Sequence, residues 1–124
     1  MKKILIVEDQ ADIRRLLCTT LEDEGRELRE AVDADAGWLA VLDWRPDLVL
    51  LDIMMPGSID GLQLCERIKS DPATRATRVV LVSARGHRND LGIGREAGAD
   101  DYLSKPFSPQ RLMEIAERLL QAPS

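Results

Sequence analysis

Three short runs that are apolar at almost every position constrain this chain most. "ILIV" (4–7), "DLVLLD" (47–52) and "VVLVSA" (79–84) show no alternation of oily and polar residues. A strand with one wet face alternates, whereas a strand that is oily throughout needs cover on both faces. Helical patterns separate the runs and can supply that cover. Ile13, Leu16, Leu17 and Leu21 recur at helical spacing, with Gly25 as the expected stop. Trp38, Val41 and Leu42 mark a second helix, closed by Arg45-Pro46 because a residue before proline disfavours the helical region. Leu64, Cys65 and Ile68 define a third helix that starts near Asp60, with Pro72 beyond it. His87 to Ala97, broken by Gly92 and Gly94, reads as a weak fourth. Ser108 suits an N-cap with Pro109 at the first helical position, and Leu112, Ile115, Ala116 and Leu119 form the stripe of a fifth. "LREAV" (28–32) and "DYLS" (101–104) are two weaker strands.

Strand followed by helix, five times over, predicts an α/β fold: a doubly wound, five-stranded parallel sheet with five helices. The 124 residues fit one domain, expected over 1–121 with a short tail at 122–124 and no room for a second. Hydrophobic content of 44% and charged content of 31% belong to a soluble globular chain, not a disordered one. No apolar run approaches the roughly 20 residues needed to cross a bilayer. In "MKKILIV" the apolar part meets Glu8 and Asp9 at once, with no cleavage site, so a signal peptide is rejected and a cytoplasmic location without a membrane partner is expected. The net charge of −5 argues against direct nucleic-acid binding. Cys18 and Cys65 lie far apart in helical patterns and read as reduced core thiols. The only histidine, His87, reads as a solvated loop residue and leaves little for a histidine metal site or a Ser/His/Asp triad.

In such sheets ligands bind at the carboxyl ends of the strands. Glu8 and Asp9 follow the first strand, Asp52 ends the third, Ser83 lies at the end of the fourth, and Lys105 follows the fifth. Carboxylates gathered there repel: two unit charges about 4 Å apart at an effective dielectric near 20 interact by roughly 4 kcal/mol. A proton, a lysine or a metal must offset that. Lys105 supplies one positive charge, and Mg²⁺ suits a site with a few carboxylates and several retained waters. Simple capping of the first helix by Glu8 and Asp9 would explain that pair, but not Asp52 or Lys105.

With these residues assembled, the chain resembles the response-regulator receiver domains of two-component signalling, including chemotaxis-regulator-like members. "ILIVEDQ" resembles the family's first strand with its acidic pair, and "PDLVLLDIMMPG" the segment around the phosphorylated aspartate. "VVLVSA" resembles the strand carrying the switch hydroxyl, and "GADDYLSKPF" the segment with the family lysine and following proline. The resemblance covers essentially the whole chain and implies the flavodoxin-like strand order 2-1-3-4-5. It implies that Asp52 is the phosphoacceptor and that Glu8, Asp9, Asp52 and the Met54 backbone carbonyl hold Mg²⁺. By the same resemblance Ser83 is the switch hydroxyl, Lys105 pairs with a phosphoryl oxygen, Tyr102 is the aromatic switch, and the Lys105–Pro106 bond is cis. The phosphoryl group would come from a sensor histidine kinase or a histidine phosphotransfer protein. Phosphorylation would change the surface of helix 4, strand 5 and helix 5, controlling a downstream protein target or a separate output domain, with a possible dimer through that surface. Such a chain is a phosphoacceptor that assists its own phosphorylation and dephosphorylation, not a conventional enzyme.

The loop "PGSIDG" is one residue longer than the family's usual Pro-Gly-x-Asp-Gly, which predicts a local bulge that keeps the metal site. Met54 and Arg85, each two residues past a site residue, offer no base or amide to orient an attacking water, so self-dephosphorylation is expected not to be fast. Met54 and Met55 are expected to serve in packing. An aspartyl phosphatase would usually carry a second aspartate where Met54 stands, and a flavin-binding domain would want hydroxyls where "VEDQADI" has acids. A receiver-like module that no longer accepts phosphate is disfavoured by the retained Asp52, Lys105 and acidic pair.

Overall fold

A computed structural model describes residues 1–55, 57–83 and 97–121. The elements run β1 (Lys2–Val7), α1 (Ala11–Leu21), β2 (Arg26–Ala31), α2 (Ala34–Trp44), β3 (Leu48–Asp52), α3 (Gly61–Ser70), β4 (Arg78–Ser83), β5 (Asp101–Ser104) and α4 (Pro109–Gln121). The strands form one sheet in the order β2-β1-β3-β4-β5, and every adjacent pair is parallel. The weak helix expected over His87–Ala97 falls almost wholly outside the described residues, as do Arg85 and the tail at 122–124; four helices are seen among the described residues.

The two-sided strands divide their side chains between two cores. Leu5, Val7, Val49, Leu51, Val79 and Leu81 face α2 and α3, meeting Val41, Trp44, Leu64, Cys65 and Ile68. Ile4, Ile6, Leu48, Leu50, Val80 and Val82 face α1 and α4, meeting Leu17, Leu21, Leu112, Ile115 and Leu119. Each such side chain removed from water contributes roughly 1.5–3 kcal/mol, so β3, buried at all five positions, anchors both layers at once.

Several details differ from the sequence expectation. Leu16 and Leu42 are partly exposed, at 49% and 37%; the buried stripes run instead through Leu17 and Leu21 on α1 and through Ala34, Gly37, Val41 and Trp44 on α2. Helix α1 ends at Leu21 because Glu22 turns extended while its N–H still bonds the Cys18 carbonyl; Gly25 serves the turn into β2. Strand β2 starts earlier than expected, since Arg26, Glu27, Arg29 and Glu30 hide its pattern. As an edge strand paired only with β1, it tolerates those polar residues. The expected Ser108 cap is present, its Oγ accepting from Arg111 N on α4, and Asp60, at the expected start of the third helix, forms a reciprocal capping box with Gln63 on α3.

Candidate functional site

The chain reverses its winding between β1 and β3, and the crevice beyond their carboxyl ends is where such sheets bind ligands. Register sets Val7 beside Leu51, so Glu8 and Asp52 emerge next to each other. Glu8 is fully buried and held at every polar atom described for it. Its N–H donates to the Ala31 carbonyl at 3.0 Å, and its carbonyl accepts from Arg14 Nη1 at 2.9 Å. Oε2 accepts from Gln10 N at 3.2 Å and Oε1 from Lys105 Nζ at 2.8 Å. Asp52, 5% exposed, accepts from Met54 N through Oδ1 at 3.3 Å and lies 3.4 Å from Lys105 Nζ through Oδ2.

Lys105 therefore bridges the two buried carboxylates. Its backbone N–H donates to the Ser83 carbonyl at 2.6 Å, and the Lys105–Pro106 bond is cis, as the resemblance implies. Burial works against its ammonium, but the hydrogen bond to Glu8 and the charges of Asp52 and Glu8 outweigh it and raise its pKa. Ser83 is buried at the end of β4, level with Ser104. Asp9 reaches solvent, yet partial burial and the adjacent Glu8 carboxylate push its pKa up. A carboxyl group raised in this way is one that a cation would relieve.

Oxygens of Glu8, Asp9 and Asp52 all lie within 4.8 Å of one another. Two ligands on opposite sides of Mg²⁺, at bonds of about 2.0–2.1 Å, stand about 4 Å apart. Adjacent ligands stand only about 2.9 Å apart, so the three carboxylates need to close by up to about 2 Å to share one ion, and an all-oxygen set matches a hard divalent cation. The donor set fits Mg²⁺. A cavity of about 310 Å³, lined by Arg45, Asp47, Thr77 and Arg78 among others, opens at the opposite, amino-terminal edge of the sheet and takes no part in this cluster.

Glu8, Asp9, Asp52 and Lys105 come together as the strand-end reasoning expects, with Ser83 one backbone hydrogen bond away. Tyr102 stands apart: its ring packs on the core that β1, β3 and β4 share with α2 and α3, and its buried hydroxyl has no hydrogen-bond partner among the described residues. Met55 packs against that core, but Met54 is 62% exposed, so packing is not its use. Sequence reasoning missed Arg14 and its partner Glu30, joined at 2.8 Å, which hold the Glu8 main chain from behind. Their one legible signal is the place of Arg14, one turn into the helix that follows the acidic pair.

The geometry is that of an acidic cluster with one lysine at the edge of a parallel sheet, a donor set able to hold a divalent cation. Residues 4–117 match the family model for the response regulator receiver domain, and the chain belongs to that family. It is 44% identical over 112 residues to the phosphate regulon transcriptional regulatory protein PhoB of Escherichia coli, covering 90% of this chain and 48% of that one. It is 41% identical over 122 residues to the transcriptional regulatory protein ResD of Bacillus subtilis, covering 98% and 49%. The chain thus spans about half the length of the curated relatives it matches. Among solved structures, a putative response regulator from Chloroflexus aurantiacus superposes with a TM-score of 0.91 at 33% identity, with 98% of each chain covered. The receiver domain of NtrX from Brucella abortus gives 0.87 at 40% identity, covering 97% and 99%. Among the described residues no helix is long and apolar enough to cross a membrane.

Proposed function

We propose that residues 1–121 form a phosphorylation-controlled switch in which Asp52 accepts a phosphoryl group from a sensor histidine kinase or histidine phosphotransfer protein. The observation that carries this reading is the buried Asp52 carboxylate at the end of an oily strand, within 3.4 Å of Lys105 Nζ and beside two further acids. In transfer, an Asp52 oxygen forms the new O–P bond as the N–P bond of the donor's phosphohistidine breaks, and the electron pair stays on the imidazole. A carboxylate suits an acyl-phosphate product, and phosphoryl transfer needs positioning and charge neutralisation more than acid–base machinery. Glu8, Asp9, Asp52 and the Met54 carbonyl would hold Mg²⁺, which when bound supplies electrostatic stabilisation of the transferred group. Lys105 would hold a phosphoryl oxygen, its ammonium already turned toward Asp52.

A phosphoryl group adds about −1.5 to −2 charge and strong acceptor oxygens. Ser83 would donate its hydroxyl to it, and Tyr102 would turn in the space released. The surface of β5, the last helix and the segment before β5 would then change for a downstream target, a separate output domain or a second copy. The domain assists its own phosphorylation and slow dephosphorylation in the cytoplasm. Intact mass after treatment with acetyl phosphate and Mg²⁺ tests the chemistry. One added phosphoryl group in the wild type and none in Asp52→Ala is expected; equal labelling of both refutes the Asp52 role. Steady turnover of phosphate monoesters would refute the switch in favour of a phosphatase.

A further inference from the structure

The loop after β3, where the chain is one residue longer than the family spacing, is tied at its middle to α2. Ser58 Oγ donates to Asp35 Oδ1 at 2.6 Å and Ser58 N to Asp35 Oδ2 at 3.3 Å, so one serine engages both oxygens of one carboxylate. Asp35 lies in the first turn of α2, which is itself fixed by Asp33 Oδ1 accepting from Ala36 N at 2.7 Å. Gly57 has φ of +128°, and a β-carbon there would stand 3.2 Å from Asp35 Oδ2. Glycine takes that backbone conformation without the strain a side chain would bring, and it lets the loop lie against the carboxylate.

The two ends of the loop are fixed as well. At the near end Met54 N bonds Asp52 Oδ1, and at the far end Asp60 and Gln63 close the capping box of α3. The Met54 carbonyl, a proposed metal ligand, lies between the near end and the Ser58 clamp. A longer loop fixed only at its ends leaves that carbonyl more positions to sample, and a clamp at its middle removes them. Partners behind a ligand commonly set how well the ligand is aimed.

We propose that Asp35 is a positioning residue for the metal and phosphoryl site, acting through Ser58, which straps the lengthened loop onto α2. This rests on the reading of Asp52 as a Mg²⁺-dependent phosphoacceptor. Asp35 touches neither the metal nor the phosphoryl group. Its link makes the first turn of α2 part of the site's scaffold, so a displacement of that turn is transmitted to the loop.

The test compares wild type, Ser58→Ala, Ser58→Thr, Asp35→Ala and the Asp35→Ala/Ser58→Ala double variant. The readouts are Mg²⁺ dissociation constants by calorimetry, urea midpoints and phosphoryl labelling by intact mass. Ser58→Ala leaves the charge unchanged, so a weakening of about two- to tenfold, the worth of one net hydrogen bond, reports position alone. Ser58→Thr keeps the hydroxyl and should restore affinity to within about twofold of wild type. The double variant should bind no more weakly than Asp35→Ala. Unchanged Mg²⁺ affinity in Ser58→Ala, with or without a lowered urea midpoint, overturns the proposal, and so do multiplying effects in the double variant. A wild type that binds Mg²⁺ and takes the phosphoryl group beside an unaffected Ser58→Ala refutes the clamp alone. A wild type that does neither refutes the reading of the site, and the clamp's role with it.

Discussion

Gly61→Ala is the substitution that most directly tests how α3 holds Asp52. A β-carbon at Gly61 would stand 2.1 Å from the Asp52 carbonyl oxygen and 2.8 Å from both Asp52 C and Ile53 Cα. All three are backbone atoms, so no side-chain rotation relieves the overlap. Either the end of β3 shifts or α3 retreats. Retreat stretches the 3.1 Å bond from Gly61 N to the Ile53 carbonyl and drags Leu64, Cys65 and Ile68 from their places in the core. Overpacking costs about 1–3 kcal/mol or more, and a lost hydrogen bond about 0.5–1.5 kcal/mol. Alanine returns at most about 1 kcal/mol through helix propensity. The net expectation is a loss of about 0.5–3.5 kcal/mol, read as a lower urea midpoint at unchanged slope, or roughly 3–5 °C in Tm per kcal/mol for a chain of this length. Mg²⁺ affinity should fall as well, because Asp52 itself is pushed. Gly37→Ala is the control. There a β-carbon meets Val7 Cγ2 at 3.0 Å and Leu64 Cδ2 at 3.1 Å, side-chain tips that can yield. Its loss should be much smaller. An unchanged or raised stability for Gly61→Ala, or equal losses for the two, would refute this account of the contact.

Tyr102→Phe should stabilise the unphosphorylated protein by about 1 kcal/mol, since it removes a buried hydroxyl without a partner among the described residues; a lowered urea midpoint would show that the hydroxyl is bonded. Lys105→Met leaves Glu8, whose side chain is 1% exposed, without its counter-charge and should cost on the order of 3 kcal/mol, part of it recovered in Mg²⁺; a stability unchanged with and without Mg²⁺ would contradict this. The raised pKa of Lys105 fixes the sign of the pH dependence. The gap between wild type and Lys105→Met should be constant below the ordinary lysine value of 10.5 and shrink as pH rises through the higher folded value. Burial pushes the thiols of Cys18 and Cys65 up to about 11 and about 12, so both should resist disulfide reagents at neutral pH until the protein is unfolded. Fast labelling of either in the native state would refute that.

The parts legible in the sequence are those in which burial leaves a pattern. Oily runs at 4–7, 47–52 and 79–84 marked the central strands because both faces of a parallel sheet are covered. The acids and lysine just beyond them marked the site because topology alone brings strand ends together. Arg14 was not legible: its guanidinium bonds the main chain of Glu8, and main-chain partners impose no residue type on the other side. The Asp35–Ser58 link was hidden for a related reason. It joins residues 23 positions apart, both exposed, where any polar residue is ordinary. Helix α1 was expected to run on to Gly25, yet it ends at Leu21, the last residue of the helix that the core buries. Tertiary packing, not the stop signal, sets that boundary.

Charge explains why an oily strand should end on Asp52. Glu8, Asp9 and Asp52 against Lys105 leave an excess of about two negative charges in a crevice where two of the acids are buried. A divalent cation would cancel that excess, so on the proposed reading the cluster favours the metal before any phosphoryl group arrives. Under the proposed phosphorylation the single charge of Asp52 would give way to about −1.5 to −2, and the cancellation would no longer hold. New donors must come from close by. Lys105 is already turned to Asp52 at 3.4 Å, and the Ser83 carbonyl is bonded to the Lys105 N–H at 2.6 Å. The ends of β4 and β5 are thus joined at the point where the added charge is felt. Recruitment of the Ser83 hydroxyl would pull on the same backbone that leads from Tyr102 through Lys105, which is how a change of about one charge at Asp52 would reach the outer face of β5.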